Sequence, residues 1–191
     1  THKGTFGRLL NVSGSESCIG AAWMSTNAAL RTGSGLVTLA SVSEVTTSVA
    51  TSLHECIYLP LGSKTLTSEC ADKLCKNART ATAILFGCGV GNSDEAYRLL
   101  CALIDNTSCP IVIDADGINS LAPHINELKD NTGRLILTPH IKEFSRLSGL
   151  DTDYILRHKL SCAKDFSVKY GVHVLLKDAY SVYAAPDGFI A

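Results

Sequence analysis

The 191-residue sequence is poor in charged residues, which make up 18%, and in aromatic residues, which make up 6%. It contains no apolar run close to the roughly 20 residues that a membrane-spanning helix needs. Its formal net charge of −1 lacks the basic excess that nucleic acids and anionic membranes attract. Hydrophobic residues make up 46%, enough for a buried core. We therefore expect a single domain over residues 1–191 that binds neither nucleic acid nor a membrane.

The eight cysteines form no CxxC pair and no cluster with the spacing of a zinc site. Cys88 in ILFGCG and Cys101 in LLCALI lie in apolar runs, where a free cysteine packs as a small hydrophobic residue. We therefore expect reduced thiols, no structural metal and a cytoplasmic location.

Short apolar runs alternate with amphipathic stretches along the chain. Strands are predicted at residues 8–13, 36–40, 56–61, 83–86, 111–115, 134–138, 172–176 and 181–184. Helices are predicted at residues 19–31, 43–51, 93–105, 117–121, 141–148 and 154–170, with Ser43 and Ser93 as N-caps. This alternation predicts an α/β fold with a mostly parallel central sheet, helices on both faces, and the last two strands as a hairpin at one edge.

Ligands of such sheets bind beyond the carboxyl ends of the strands, so the residues after each apolar run are the candidates. Ser13–Ser15 and then Gly20 and Ala21 place small residues at the start of a helix, which either lets a ligand approach or packs helix on sheet. The segment GCGVG at residues 87–91 is neither the GxGxxG fingerprint nor a P-loop. It indicates either backbone close to a phosphate or ribose, or a tight turn.

Two carboxylates, Asp114 and Asp116, follow the strand IVI, and Asn119 comes shortly after them. Carboxylates in this position can orient a magnesium ion or accept a hydroxyl proton. The alternative is that they cap the following helix.

His140 and Glu143 follow the strand RLILT, and Lys177 follows VHVLL. His140 could contact a substrate, while Glu143 either reaches the same cleft or only favours the helix dipole. Lys177 could meet a nucleotide phosphate as a point charge, or it could be an ordinary surface lysine.

Five ordered segments resemble the NAD(P)H-hydrate dehydratase family over essentially the whole chain. They are HKGTFGRLLNVSGS with IGAAWMSTNAALRTGSGLVTLA, GCGVGNSDEA, DADGIN, LTPHIKEFSRLSG and LLKDAYSVYAAPDG. The resemblance implies a ribokinase-like α/β fold and a homotetramer. It also implies a repair reaction in which ADP or ATP, with Mg²⁺, phosphorylates the hydroxyl of hydrated NADH or NADPH, and loss of phosphate restores the reduced dinucleotide.

The resemblance also assigns residues to the two ligands. Ala21, Gly91 and His140 correspond to contacts with the hydrated dinucleotide. The residues that correspond to the loop binding the adenine nucleotide are Lys177, Asp178, Ala179, Tyr180 and Ser181. Candidate supporting residues beside them are Gly89, Asp114, Asp116, Asn119 and Glu143.

The sequence departs from the family pattern in three places: Cys88 replaces a proline, Ile141-Lys142 replaces Pro-Gly, and Asp178 replaces a glycine. An acidic side chain beside a phosphate-binding loop is unfavourable unless it points away.

The catalytic aspartate of the family lies beyond Ala191, the last residue of the printed sequence. The family pattern continues past the PDG turn into a glycine-rich segment, and that segment carries the aspartate. The resemblance therefore implies that the domain over residues 1–191 is incomplete at its C-terminal end and lacks turnover alone. It identifies no catalytic residue within this range.

Two other functions remain open at this point. One is a small-molecule kinase of the same fold, acting on a hydroxymethylpyrimidine or a sugar, because the fold alone does not choose between them. The other is a nucleotide-binding module without activity. The opening motif favours the ADP-using members of the family over the ATP-using ones, and whether an epimerase domain precedes the chain is open.

Overall fold

A computed structural model describes residues 3–62, 64–128 and 133–191. His2 of the opening motif lies outside them. The described residues form an eight-stranded sheet in the order β3-β2-β1-β4-β5-β6-β7-β8, parallel except for the antiparallel β7–β8 pair. The strands are β1 (Arg8–Val12), β2 (Leu36–Ser41), β3 (Ile57–Pro60), β4 (Ala83–Phe86), β5 (Ile111–Ile113), β6 (Leu135–Leu137), β7 (His173–Leu176) and β8 (Val182–Ala184).

The helices connect these strands as crossovers. They are α1 (Ile19–Arg31), α2 (Ser43–Ala50), α3 (Ala71–Ala78), α4 (Asp94–Asn106), α5 (Asp116–Leu121), α6 (Ile141–Ser148), α7 (Thr152–Arg157) and α8 (Lys159–Tyr170). The predicted α/β class, the parallel sheet and the edge hairpin are confirmed.

The central strands are short and apolar because the sheet is covered on both faces. Ile111 and Ile113 in β5, and Leu135 and Leu137 in β6, are fully buried. Buried parallel strands read as continuous apolar runs, and this is the pattern on which the strand predictions depended.

Three details of the prediction were wrong. Ser43 is the first residue of α2 rather than its N-cap, which is Val42 and makes no side-chain cap. The single helix predicted at residues 154–170 is two helices, because the chain leaves the helical conformation at His158, where φ is −130° and ψ is 33°. Helix α3 was not predicted at all.

The direction of strand order reverses at β1. From there β2 and β3 extend to one side, and β4 begins the series on the other side. The connections after β1 and β4 therefore leave the sheet in opposite directions, which opens a crevice beyond their carboxyl ends. The two glycine-bearing loops of the sequence lie at this point.

All eight cysteines are free. Among the described residues, no helix is long and apolar enough to cross a membrane.

Candidate active site

The loops after β1 and β4 are joined to each other at the crevice. The Gly14 amide donates a hydrogen bond to the Cys88 carbonyl at 2.8 Å. Gly89 has a φ of +71°, and a Cβ on it would lie 2.9 Å from the Cβ of Ala21 and 2.7 Å from the Cβ of Cys18. Glycine is therefore required at position 89 both by backbone conformation and by space, because the loop rests directly on the start of α1.

A strained turn after β5 sends the two predicted carboxylates to different partners. Ala115 has φ 50° and ψ −117°, and it is the one non-glycine residue of the described chain with a positive φ. On one side of this turn, Asp116 Oδ2 accepts a hydrogen bond from the Gly91 amide at 3.0 Å. Neither carboxylate caps α5, whose N-cap is Ala115. Strain of this kind is concentrated at functional sites.

Asp114, on the other side of the turn, collects donors from three neighbouring loops. Lys177 Nζ lies 2.6 Å from Asp114 Oδ1, and the Thr138 hydroxyl donates to the same oxygen at 2.8 Å. The Cys88 thiol donates to Asp114 Oδ2 over 3.7 Å. The carboxylate therefore connects the ends of β4, β5, β6 and β7.

These contacts set the charge of the cluster. Burial raises the pKa of Asp114, but hydrogen bonds from Lys177 and Thr138 outweigh it, so the pKa lies below its usual value. Burial, with a smaller contribution from Asp114, raises the pKa of the Cys88 thiol to about 12. At neutral pH the cluster thus contains a carboxylate and a neutral thiol.

The ends of β6 and β7 bring His140 beside Lys177. The Lys177 amide donates to the Pro139 carbonyl at 2.7 Å, and His140 and Lys177 form a parallel bridge beyond their strands. The sheet register therefore places a histidine and a lysine next to each other although they are far apart in the sequence.

His140 and Glu143 form a capping box at the start of α6. His140 Nδ1 accepts from the amides of Lys142 and Glu143 at 3.1 and 3.3 Å, and Glu143 Oε2 accepts from the His140 amide at 2.9 Å. Because Nδ1 is an acceptor, the ring proton of the neutral histidine lies on Nε2, 3.3 Å from Glu143 Oε1. The His140 side chain remains about half exposed, so part of this fixed imidazole is accessible, while Glu143 is buried.

Residues 178–181 form an exposed turn between β7 and β8. The Asp178 carboxylate is paired with Lys159 Nζ at 2.8 Å, and this hydrogen bond lowers the pKa of Asp178. The acidic side chain therefore has a cationic partner on α8 and is not unpaired. A cavity of about 420 Å³ adjoins the turn and is lined by residues that include His158, Leu160 and Tyr180.

Ala191 lies beside the edge strand β8. Its amide donates to the Tyr183 carbonyl at 3.0 Å, and its carbonyl accepts from the Tyr183 amide at 2.9 Å. The aspartate that the resemblance places beyond Ala191 is not among the described residues. The structure therefore assigns no catalytic base, and the prediction that residues 1–191 lack turnover alone stays a prediction.

The sequence profile of the NAD(P)H-hydrate dehydratase family matches residues 9–191. This chain belongs to that family. The NAD(P)H-hydrate dehydratase match covers nearly all of the sheet and every candidate site residue.

Known relatives agree with the family match. The chain is 33% identical over 190 residues to a bifunctional NAD(P)H-hydrate repair enzyme Nnr of Moorella thermoacetica, an alignment that covers 98% of this chain and 36% of that protein. It is 30% identical to an ADP-dependent (S)-NAD(P)H-hydrate dehydratase of Neisseria meningitidis, with 98% and 61% covered. The chain thus spans about a third of the bifunctional relatives and less than two thirds of the single-function one.

A solved structure of the family shares the architecture. The ADP/ATP-dependent NAD(P)H-hydrate dehydratase of Bacillus subtilis, co-crystallized with ATP and Mg²⁺, superposes with a TM-score of 0.81 at 26% identity. The match covers 100% of this chain and 64% of that one. The ribokinase-like fold implied by the sequence resemblance is therefore confirmed.

The structure brings most of the predicted site residues to one sheet edge in two linked groups. The first group is the loop after β4, which contains Gly89 and Gly91, with Ala21 and Asp116 in contact with it. The second group lies at the ends of β5 to β7 and consists of Asp114, His140, Glu143 and Lys177. Asn119 stands slightly apart, because its Oδ1 accepts a hydrogen bond from Arg146 Nη1 of α6 at 2.7 Å. It joins α5 to α6 instead of facing the crevice loops.

Sequence reasoning missed three residues of this site. Thr138 binds Asp114 and ends the same apolar run that singled out His140, so the strand-end rule could have found it. Cys88 was interpreted as a small hydrophobic residue and as a replacement for proline, although its thiol donates a hydrogen bond to Asp114. The strain at Ala115 had no signal, because alanine is not a residue that typically adopts a positive φ.

Proposed function

We propose that this chain provides the larger part of a dehydratase domain that uses ADP to convert hydrated NADH and NADPH back to NADH and NADPH. The observation that carries the proposal is the Asp114–Asp116 turn, which ties a glycine loop on one side to a lysine on the other. A phosphoryl transfer between two ligands needs two adjoining sites on one rigid support, and this turn supplies it.

Lys177 and the turn at residues 178–181 form the nucleotide side. The Lys177 ammonium lies at the carboxyl edge of the sheet, where it can meet a phosphate as a point charge. The exposed turn and the adjoining 420 Å³ cavity leave room for the rest of the nucleotide. Pairing of Asp178 with Lys159 partly offsets the negative charge that would otherwise oppose this role.

Ala21, Gly91 and His140 form the hydrated-dinucleotide side. Gly89 keeps the loop close to α1, and the space around Gly91 is open, so a bound ligand can approach the backbone there. The capping box fixes the His140 ring and its Nε2 proton, which gives the substrate a rigid polar contact. Asp116, held by the Gly91 amide, and Glu143, held by the His140 amide, support these two contacts.

The chemistry turns a poor leaving group into a good one. The ring hydroxyl oxygen attacks the terminal phosphorus of ADP, AMP departs, and the hydroxyl proton passes to a base. The carbon–oxygen bond of the phosphate ester then breaks, and a proton is lost from the adjacent carbon to restore the double bond. The protein's main task is to position both ligands and to neutralise phosphate charge.

Magnesium fits this site as an ion that arrives with the nucleotide. Among the described residues, no group of three His, Cys, Asp or Glu side chains could hold a metal. Mg²⁺ commonly uses one or two carboxylates together with phosphate oxygens, and we assign Asp116 as the carboxylate on the protein. When bound, the ion would neutralise phosphate charge.

The test is an assay of the full-length protein with hydrated NADH and ADP, following recovery of the reduced nicotinamide absorbance. We expect one AMP per NADH regenerated, and slower turnover with ATP. Lys177→Met should raise the KM for ADP about tenfold or more and lower kcat, while Lys76→Met, at an exposed residue of α3, should change neither. Phosphate transfer to a hydroxymethylpyrimidine or a sugar without regeneration of NADH would establish the kinase alternative instead, and binding without turnover would leave a nucleotide-binding module.

The family resemblance supports a homotetramer, and the free cysteines support a cytoplasmic location, as parts of this proposal. Size-exclusion chromatography with light scattering of the full-length protein tests the first. Fractionation of the source cells tests the second.

A further inference from the structure

We propose that Asp114 is a positioning residue that holds the Lys177 ammonium in the orientation in which it meets the nucleotide phosphates. The inference rests on the proposed function, because it gives Lys177 its phosphate-binding role. It adds a residue that acts only through another one and does not itself touch either ligand.

The contacts of Asp114 leave Lys177 little freedom. Oδ1 accepts from Lys177 Nζ at 2.6 Å and from the Thr138 hydroxyl at 2.8 Å, and Oδ2 accepts from the Cys88 thiol. A carboxylate held by three donors from three loops does not rotate freely, so the ammonium bound to it is fixed as well. The Lys177 side chain is nevertheless 40% exposed, which leaves the rest of its ammonium open to a ligand.

Fixing a lysine in advance matters because its side chain is flexible. Ordering a free lysine costs up to about 2 kcal/mol of rotamer entropy, which would otherwise be lost when the nucleotide binds. A group that is already in place loses less on binding and is better aligned for transfer. The backbone fixes the other end of the same residue, because the Lys177 amide donates to Pro139.

The negative charge of Asp114 weakens the attraction of Lys177 for phosphate, whereas the position of Asp114 orients Lys177 for binding. A carboxylate 2.6 Å from the ammonium partly cancels its attraction for phosphate, so Asp114 orients Lys177 at some expense of nucleotide affinity. Substitutions can separate the two effects. Asp114→Asn keeps an acceptor oxygen for Lys177 and Thr138 but removes the charge, whereas Asp114→Ala removes both.

The experiment measures kcat, and the KM and Kd for ADP, on the full-length protein. We expect Asp114→Ala to lower kcat about 100-fold, because the ammonium is no longer aligned. Asp114→Asn should keep kcat within about threefold of the unmodified protein and should bind ADP as tightly or more tightly. Rescue by asparagine is not expected if Asp114 is the base or a required charge.

A double-mutant cycle tests whether Asp114 acts through Lys177. In a Lys177→Met background, Asp114→Ala should change kcat by less than about threefold, since the group that it positions is already gone. Arg98→Met is the matched control: it breaks the exposed ion pair between Arg98 and Glu95 on α4, and it should leave kcat and KM unchanged.

Each outcome distinguishes this inference from the proposed function. An unmodified protein without ADP-dependent turnover would end both. If the unmodified protein turns over normally, three results would each overturn the positioning role alone. Asp114→Ala could leave kcat unchanged, or Asp114→Asn could fail to restore kcat. The third is that Asp114→Ala lowers kcat by the same factor in the Lys177→Met background as in the unmodified protein. If Asp114→Ala does not fold, as judged by thermal unfolding, the same cycle is run with Thr138→Val, which removes one support of the carboxylate and should lower kcat by a smaller factor.

Discussion

Ala115 holds a backbone conformation that L-amino acids rarely adopt, with φ 50° and ψ −117°. Such strain costs about 1–3 kcal/mol, and glycine would relieve it at an entropic cost of about 0.5–1 kcal/mol. We therefore expect Ala115→Gly to raise the free energy of unfolding by about 1 kcal/mol. Urea denaturation followed by circular dichroism measures the change.

Ala28 provides the control for this substitution, because it is an exposed residue within α1. Glycine in the interior of a helix costs about 1 kcal/mol, so Ala28→Gly should destabilise the protein. The two alanine-to-glycine changes should thus have opposite signs. A loss of stability from Ala115→Gly would show that the turn is not strained.

Asp114 makes the stability depend on pH. Its pKa in the folded protein lies below the usual value of 3.8, so its stabilising contribution is present above that value and is lost as the pH falls through the folded pKa. We expect Asp114→Asn to lower the free energy of unfolding at pH 7. The difference in free energy of unfolding between the variant and the unmodified protein should become smaller as the pH falls below about 4. Urea midpoints of both proteins at pH 7 and pH 3 measure this change. A stability difference between the two proteins that is the same at both pH values would contradict the lowered pKa of Asp114.

The sequence identified individual strand-end residues but not their partners. Asp114 and Lys177 were both singled out as separate candidates, because each follows an apolar run. Their ion pair depends on the order of β5, β6 and β7 in the sheet and on the backbone contact between Lys177 and Pro139, neither of which local sequence encodes.

At the scale of elements, the loop after β4 carries the clearest steric constraint. A methyl group at position 89 would overlap Cys18 and Ala21 at 2.7 and 2.9 Å. We expect Gly89→Ala to destabilise the protein by about 1–3 kcal/mol through overpacking, in addition to backbone strain, and to raise the KM for hydrated NADH. Urea denaturation and steady-state kinetics measure the two effects.

Gly33 is the control for this prediction. It also has a positive φ, of +96°, but nothing lies within 4 Å of a Cβ placed on it, and it follows α1 at the end away from the crevice. Gly33→Ala should therefore show only the strain cost, with an unchanged KM. Equal effects of the two substitutions on KM would argue that the loop does not depend on its contact with α1.

Helix boundaries were predictable where side chains mark them. Ser93 caps α4 by accepting from the Ala96 amide, and it had been predicted to do so. Asp151 caps α7 in the same way, by accepting from the amides of Asp153 and Tyr154, but the periodic pattern that continues to Tyr170 concealed the short helix that it begins. The break at His158 has no glycine or proline to signal it.

At the scale of the whole molecule, the alternation of apolar runs and amphipathic stretches was enough to predict a parallel sheet with an edge hairpin. It was not enough to predict the strand order, and therefore the crevice between β1 and β4. Ligand-binding residues of such folds gather where the order reverses. The glycine loops after β1 and β4 can be assigned to the crevice only when the order of the strands is known.

The distribution of the eight free cysteines leads to a prediction for the whole chain. Cys18 is exposed, whereas Cys56, Cys70, Cys75 and Cys162 are buried. Burial raises the pKa of Cys56 to about 11, and the pKa of Cys88 is raised further, so neither forms a thiolate at neutral pH. Because the thiolate is the reactive form, iodoacetamide at about pH 7.5 should label Cys18 first in the native protein.

The measurement is a time course of labelling, with each site assigned by mass spectrometry of the digested protein. In denaturant without reductant, all eight thiols should react, because none is in a disulfide. Binding of hydrated NADH should slow the labelling of Cys18, since the Gly89 loop that packs on Cys18 and Ala21 lies at the proposed substrate side. Labelling of Cys88 as fast as that of Cys18 would contradict the neutral thiol beside Asp114, and a missing pair of thiols in denaturant would contradict the reduced state of the chain.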